Sequence, residues 1–316
     1  MKTGRVRLGW LGAVALLLAA MPAPAPAAEA LLRAQLWEAC LGGVTRASIE
    51  AFCTAALDLP GLAERDRAAA LAQRGNARAA GGQWEAAMPD LADALALHPD
   101  EPTARLVRGI RRVDQGDREG GIADLSAYLA HDPGHAGALN SRAVALVRVG
   151  RPAAAVADFT AALRTAPDHP VLLHNRANAM RDAGQIEPAV REYDRILLLF
   201  GTSARVLTDR CLARLVRGDI RLALADCNAA VAQEPEDPGI IENRGLVALK
   251  WNQPDRALAD FNQALSFRAD MPWALFGRGI VRSRRGDPQR GAADIRAAQA
   301  LDPKVAETFA RFGIRP

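Results

Sequence analysis

The chain has 316 residues, half of them apolar, 24% charged and only 5% aromatic. That apolar share excludes wholesale disorder, and 26 glycines with 19 prolines are too few for a collagen-like or low-complexity chain. The formal net charge of +4 looks basic, but Lys2, Arg5 and Arg7 crowd the first seven residues. Without them 37 basic side chains face 36 acidic ones, so nucleic-acid binding has no electrostatic support.

After Arg7 comes an apolar run, Leu8 to Ala20, and then Met21-Pro22-Ala23-Pro24-Ala25-Pro26-Ala27. A positive head, a short apolar segment and an Ala-x-Ala site make a secretory signal peptide over 1–27, with cleavage expected before Ala28. The run falls short of the ~20 residues of a membrane-spanning helix, so an uncleaved anchor is the weaker reading. No cysteine directly follows the run and no arginine pair precedes it. The expected route is general secretion, and the expected address is the periplasm.

Residues 28–67 read as a degenerate helical hairpin, with Trp37 and Cys40 on its first helix and Phe52, Cys53 and Ala56 on its second. From residue 68 the chain repeats itself every 34 residues. Ala223-Leu224-Ala225-Asp226-Cys227 returns as Ala257-Leu258-Ala259-Asp260-Phe261, and Asn175-Arg176-Ala177 as Asn243-Arg244-Gly245 two periods on. The register gives seven gapless units between 68 and 305, starting at 68, 102, 136, 170, 204, 238 and 272. Within each, apolar residues at three- and four-residue spacing are broken by a turn such as Gly116-Asp117 or Gly184-Gln185, which predicts two short helices. Pro89 falls inside a predicted second helix and should kink it. Residues 306–316 start a further helix, whose Phe309 and Phe312 could cap the stack.

In this register the chain resembles the tetratricopeptide repeat family. Position 8 is small in every unit (Gly75, Gly109, Ala143, Ala177, Cys211, Gly245, Gly279), and position 20 is alanine or glycine. Position 24 is mostly large (Leu91, Leu125, Phe159, Tyr193, Phe261, Ile295), and Pro99, Pro133, Pro167, Pro235 and Pro303 close units. The resemblance implies an all-α, right-handed α-solenoid of stacked helix-turn-helix repeats. It also implies that first helices line a concave face, with positions 2, 5, 9 and 12 pointing into it. The inner-face residues are then Leu106, Ile110 and Val113; Val144 and Val147; Leu212 and Leu215; Leu246 and Leu249; and Trp273, Phe276 and Ile280. Two readings stay open for them: an apolar groove for a peptide or helix, or packing between neighbouring units. Asn76, Asn175, Asn178 and Asn243 echo the clamp with which some family members hold a terminal carboxylate, but its lysines are missing.

Position 7 is arginine in all seven units, from Arg74 and Arg108 to Arg278, and position 23 is acidic in all seven, from Asp90 and Asp124 to Asp294. In a hairpin turning near position 16, residues whose positions sum to about 32 face each other. A structural pair, within a unit or with its neighbour, is preferred over a row of arginines that recognise an acidic ligand. By the same rule Cys211 and Cys227 lie level, and Cys40 and Cys53 flank the first turn. Disulfides Cys40–Cys53 and Cys211–Cys227 are expected in an exported chain, the second competing with a pair of buried free thiols.

No nucleophile elbow, phosphate loop, dinucleotide fingerprint or His-Glu-x-x-His motif is present. His98, His131, His135 and His169 lie at unit ends, so no metal site is expected, and no cofactor either. The expected function is a non-catalytic periplasmic scaffold or adaptor that holds a protein or peptide partner in its concave groove. The alternative is a self-associating structural subunit of the cell envelope, held by an uncleaved N-terminal anchor.

Overall fold

A computed structural model describes residues 26–43 and 45–315. The expected signal segment lies outside the described residues except for Pro26 and Ala27. Among the described residues there are seventeen helices and no strand. Two compact units divide the chain, Met1–Pro133 and Gly134–Pro316.

In the first unit the described helices are α1 (Pro26–Gly42), α2 (Arg46–Leu57), α3 (Glu64–Ala80), α4 (Trp84–Leu97), α5 (Pro102–Gln115) and α6 (Arg118–His131). Each packs on the next, and α3 also touches both α1 and α5. Helix α4 runs unbroken through Pro89. Cys40 and Cys53 are bonded across the α1–α2 hairpin, with Cα atoms 4.6 Å apart.

The second unit holds α7 (Ala136–Arg148), α8 (Pro152–Ala162), α9 (Pro170–Asp182), α10 (Ile186–Phe200), α11 (Ala204–Arg217) and α12 (Ile220–Gln233). It continues with α13 (Pro238–Lys250), α14 (Pro254–Phe267), α15 (Pro272–Arg284), α16 (Pro288–Leu301) and α17 (Val305–Arg311). Successive first helices touch one another, as α7 with α9, α9 with α11, α11 with α13 and α13 with α15. Successive second helices make no comparable contact. The stack within this unit therefore curves with its first helices on the inside. Both units are all-α stacks of hairpins, the architecture of an α-solenoid.

Local chemistry explains the hairpins. Proline stands in the first turn of α5, α8, α9 and α13 to α16, where its missing N–H costs no helical hydrogen bond. The turn residue at position 15 is left-handed throughout, glycine in six units and Asn252 (φ 57°) in the seventh. Positions 8 and 24 meet as the hairpin rule requires. A Cβ on Gly245 would stand 2.9 Å from Phe261 Cε1, and one on Gly277 of the next hairpin 2.3 Å from Phe261 Cζ. Phe261 thus fills the wedge between two hairpins. It is fully buried, which contributes about 1.5–3 kcal/mol. In the unit starting at 204, a disulfide joins the same two positions: Cys211 and Cys227 are bonded, Cα atoms 5.7 Å apart, and both are fully buried.

The arginines at position 7 are structural. Each donates through Nε and Nη2 to the acid sixteen residues on: Arg74 to Asp90 at 2.9 and 2.7 Å, Arg108 to Asp124 at 2.8 and 2.8 Å, Arg142 to Asp158 at 2.8 and 2.7 Å. Arg210–Asp226, Arg244–Asp260 and Arg278–Asp294 repeat the fork, and Arg176 sets both nitrogens on the one oxygen Oε1 of Glu192. Where Nη1 reaches further, it meets the preceding hairpin, as Arg210 does at Asp194 (2.7 Å) and Arg278 at Asn262 (3.3 Å). The pair lies within a unit, and the third donor ties that unit to its neighbour.

Candidate functional site

The inner-face residues do not behave alike. Leu106, Ile110 and Val113 on α5 are half-buried. In the second unit Leu215, Leu246, Leu249, Phe276 and Ile280 are buried, none more than 5% exposed. These five cannot meet a partner in this conformation, which corrects the groove reading for them. They belong to one apolar cluster with Phe309, Phe312 and Ile314 of the C-terminal segment. Phe309 packs against Phe276 with ring centroids 4.8 Å apart, and Phe312 packs against Trp273 at 5.8 Å. Lys250 Nζ reaches the Gly313 carbonyl at 3.4 Å, and Arg284 donates to the Arg315 carbonyl at 2.6 Å. Phe309 and Phe312 do cover apolar surface as expected, on α15 through Trp273 and Phe276.

The rest of the inner face is open. Val144 and Val147 of α7 line a cavity of about 470 Å³ together with Arg148, Asn175, Asn178 and Arg205. Leu212, Val216, Trp273 and Phe312 line one of about 700 Å³ between α9–α11 and the C-terminal segment. The two share Arg181 and Asp182. A third, of about 280 Å³, shares Asn175 and Arg205 with the first and is walled by Val171, Ile196, Phe200 and Val206. Together they form one furrow along the first helices, basic in the middle and walled mainly by apolar side chains at both ends, with Arg311 at the rim of the larger end cavity.

Beneath the basic middle lies a polar cluster without counterpart in the other hairpins. Asp209 receives Arg181 Nη1 at 2.8 Å and lies 2.8 Å from His174 Nε2, the two bonds reaching different carboxylate oxygens. Burial alone would raise the Asp209 carboxyl, but the hydrogen bonds from His174 and Arg181 outweigh it and hold it below the usual range. The Tyr193 hydroxyl donates to Asn178 Oδ1, and burial raises its pKa. Asp182 accepts from Arg181 Nε at 3.2 Å. Arg181 is therefore fixed and largely neutralised, whereas Arg148, Arg205 and Arg311 line the furrow exposed and, among the described residues, with no side-chain carboxylate in ion-pair reach.

A family model described as tetratricopeptide repeat matches residues 106–170 and 242–306, two stretches in the same register of the period. This is a tetratricopeptide repeat protein. Among solved structures the repeat protein is similar to a tetratricopeptide repeat protein from Parabacteroides merdae, with TM-score 0.64 and 18% identity over 77% of this chain and 98% of that one. It is also similar to PilW, a type IV pilus biogenesis factor (TM-score 0.55, 17% identity, 63% of this chain and 92% of that one). The Cut9–Hcn1 hetero-tetramer of the APC/C matches with TM-score 0.57 and 15% identity over 89% of this chain and 55% of that chain. At these identities the likeness is one of fold. No curated protein matches the sequence. Tetratricopeptide repeat proteins bind protein partners, and the fold is that of a protein–protein interaction scaffold.

Reading the inner face for apolar residues alone passed over its charges. Arg205 occupies position 2, one of the four inward positions, and could have been found by the same rule. Arg148 at position 13 and Val216 at the same position two units on lie one residue past an inward position. His174 and Asp209 belong to adjacent repeats 35 residues apart, and no pattern within one repeat joins them.

Proposed function

We propose that the repeat protein is exported to the periplasm, sheds its first 27 residues and holds a partner protein on the inner face of its second unit, without catalysing a reaction on it. The positive, apolar and Ala-x-Ala pattern at the N-terminus supports export. Two disulfides support an oxidising compartment, since such bonds persist there and are rare in the reducing cytosol. The observation that carries the binding role is the furrow, a continuous concavity in which half-buried Leu212, Trp273 and Val144 stay accessible beside unpaired arginines.

The test is affinity capture from envelope extract with the chain starting at Ala28, compared with Leu212→Asp/Val216→Asp. Both side chains are partly exposed at the furrow wall, so helicity by circular dichroism should be unchanged while capture is lost. Full capture by the double variant removes the furrow as the docking site. Self-association is the second reading, and an exposed apolar ridge at the end of α10 favours it: Leu198 is 84% exposed, with Leu199 and Phe200 beside it. Sedimentation separates the two. A monomer at micromolar concentration removes the second, and a dimer that Leu198→Glu dissociates supports it.

A further inference from the structure

We infer that the occupant of the furrow is an extended internal segment of the partner with one or two acidic side chains at its centre and apolar side chains on both flanks. This rests on the furrow being the partner site and specifies the chemistry that fits it.

The charge distribution selects the centre. Arg148 on α7 and Arg205 on α11 stand on either side of Arg181, both exposed and neither paired. Asp209 and Asp182 already hold the Arg181 guanidinium, so the uncompensated charge at the centre belongs to its two neighbours, while Arg311 stands apart at the rim of the Leu212–Trp273 cavity. Unpaired arginines in a concave, partly apolar site attract carboxylates more strongly than those on an open surface, because the low-dielectric walls focus the field. Asn175 and Asn178 beside them offer amide groups to a backbone passing through. The chain as a whole is close to electrically neutral without its first residues, so this attraction is local rather than a general pull on anions.

The flanks select the rest. On one side the basic stretch opens through Arg205 into the cavity walled by Val171, Phe200 and Val206. On the other it opens through Arg181 into the cavity walled by Leu212, Val216 and Trp273. A ligand that ended at the arginines would leave one apolar cavity empty. A chain that continues both ways fills both, and a phosphate backbone would place charge against both. The furrow therefore fits an apolar–acidic–apolar segment better than a terminal carboxylate or a nucleic acid.

The experiment is fluorescence anisotropy on the chain starting at Ala28. The probe is a fluorescein-labelled decapeptide, blocked as acetyl and amide, with a central Glu-Asp pair flanked by Leu and Phe on each side. Relative to a Gln-Asn centre it should bind at least about tenfold more tightly. That gap should close in Arg148→Ser/Arg205→Ser, and Arg148→Glu/Arg205→Glu should instead prefer a Lys-Lys centre. Replacing either pair of flanking residues with serine should also weaken binding. Equal binding of the acidic and neutral centres, an acid preference that survives both arginine substitutions, or tighter binding of an oligothymidine strand would overturn the inference. If extract capture depends on Leu212 and Val216 while the peptide centre does not matter, only this inference falls. If capture ignores them, the furrow reading falls as well.

Discussion

Replacing Arg244 with alanine would strip Asp260 of its cation. Asp260 lies in the α13–α14 hairpin with a side chain 5% exposed, and it receives the Arg244 guanidinium at 3.0 and 2.6 Å. Position 11 of this unit is Ala248, so no second arginine can take over. Removing one partner of a buried pair costs about 3–5 kcal/mol, because the remaining charge is left without its counter-ion. The Arg244 side chain is 19% exposed, so water can enter the vacated space, and the expected cost is at the lower end, about 3 kcal/mol. Asp226 supplies the matched control. Its side chain is also 5% exposed, but Arg214 at position 11 donates to it at 2.7 Å in addition to Arg210. Arg210→Ala should therefore cost only about 1 kcal/mol, the loss of hydrogen bonds without the loss of the counter-ion. Replacing both partners, as in Arg244→Met/Asp260→Leu, should be less damaging than Arg244→Ala alone. Urea unfolding followed by circular dichroism reads all three. Because a repeat stack can open locally, hydrogen exchange over 238–271 and 204–237 assigns the loss to its hairpin. Equal costs for Arg244→Ala and Arg210→Ala would refute the reasoning.

Glu242 on α13 accepts the Ala274 N–H at 2.6 Å, and burial pushes its carboxyl up to about 7, the hydrogen bond and Arg268 pulling the other way. A carboxyl whose folded value exceeds its unfolded one contributes stability that is complete below about pH 4.5 and lost as pH rises through about 7. The melting temperature should fall across that window by an amount equivalent to at most about 3 kcal/mol, and Glu242→Gln should flatten the fall. An unchanged slope in the variant would contradict this. Asp124 acts in the opposite sense. Burial would raise it, but hydrogen bonds from Arg108 and Arg105 hold it below its ordinary value, so its stabilisation is lost only as pH drops beneath about 4. The Cys211–Cys227 bond closes a loop sixteen residues apart in sequence, and Cys211→Ser/Cys227→Ser should cost about 3 kcal/mol. A reductant should bring the unmodified chain towards the variant, and thiol titration of the unfolded, unreduced protein should find no free thiol.

What a repeat does to itself was legible in the sequence, and what distant repeats do to one another was not. The period shows in the sequence directly, and the small residues opposite large ones and the arginine–acid forks concern residues sixteen apart. A hairpin turning at a fixed position brings them together whatever the rest of the chain does. The same geometry made both disulfides readable. The inner face depends on partners much farther away. Leu246 and Leu249 have the apolar character of a groove, but both are buried in the cluster that also takes in Phe309 and Phe312. Lys250 reaches Gly313 across 63 residues. A repeat pattern records which side a residue points to, not whether a later segment of the chain folds back over it. The His174–Asp209–Arg181 cluster escaped for a related reason, since it joins neighbouring hairpins through residues that break the consensus in each.

Site-specific photocrosslinking in intact cells tests the partner-bearing face most directly, with a benzophenone side chain introduced singly at Val171, Val216 or Leu222. All three are comparably exposed, at 55%, 39% and 48%, but only Val171 and Val216 line the furrow, while Leu222 lies on the second helix α12. The expected result is the same protein adduct from Val171 and Val216 and none from Leu222. An adduct from Leu222 with neither furrow position labelled would contradict it.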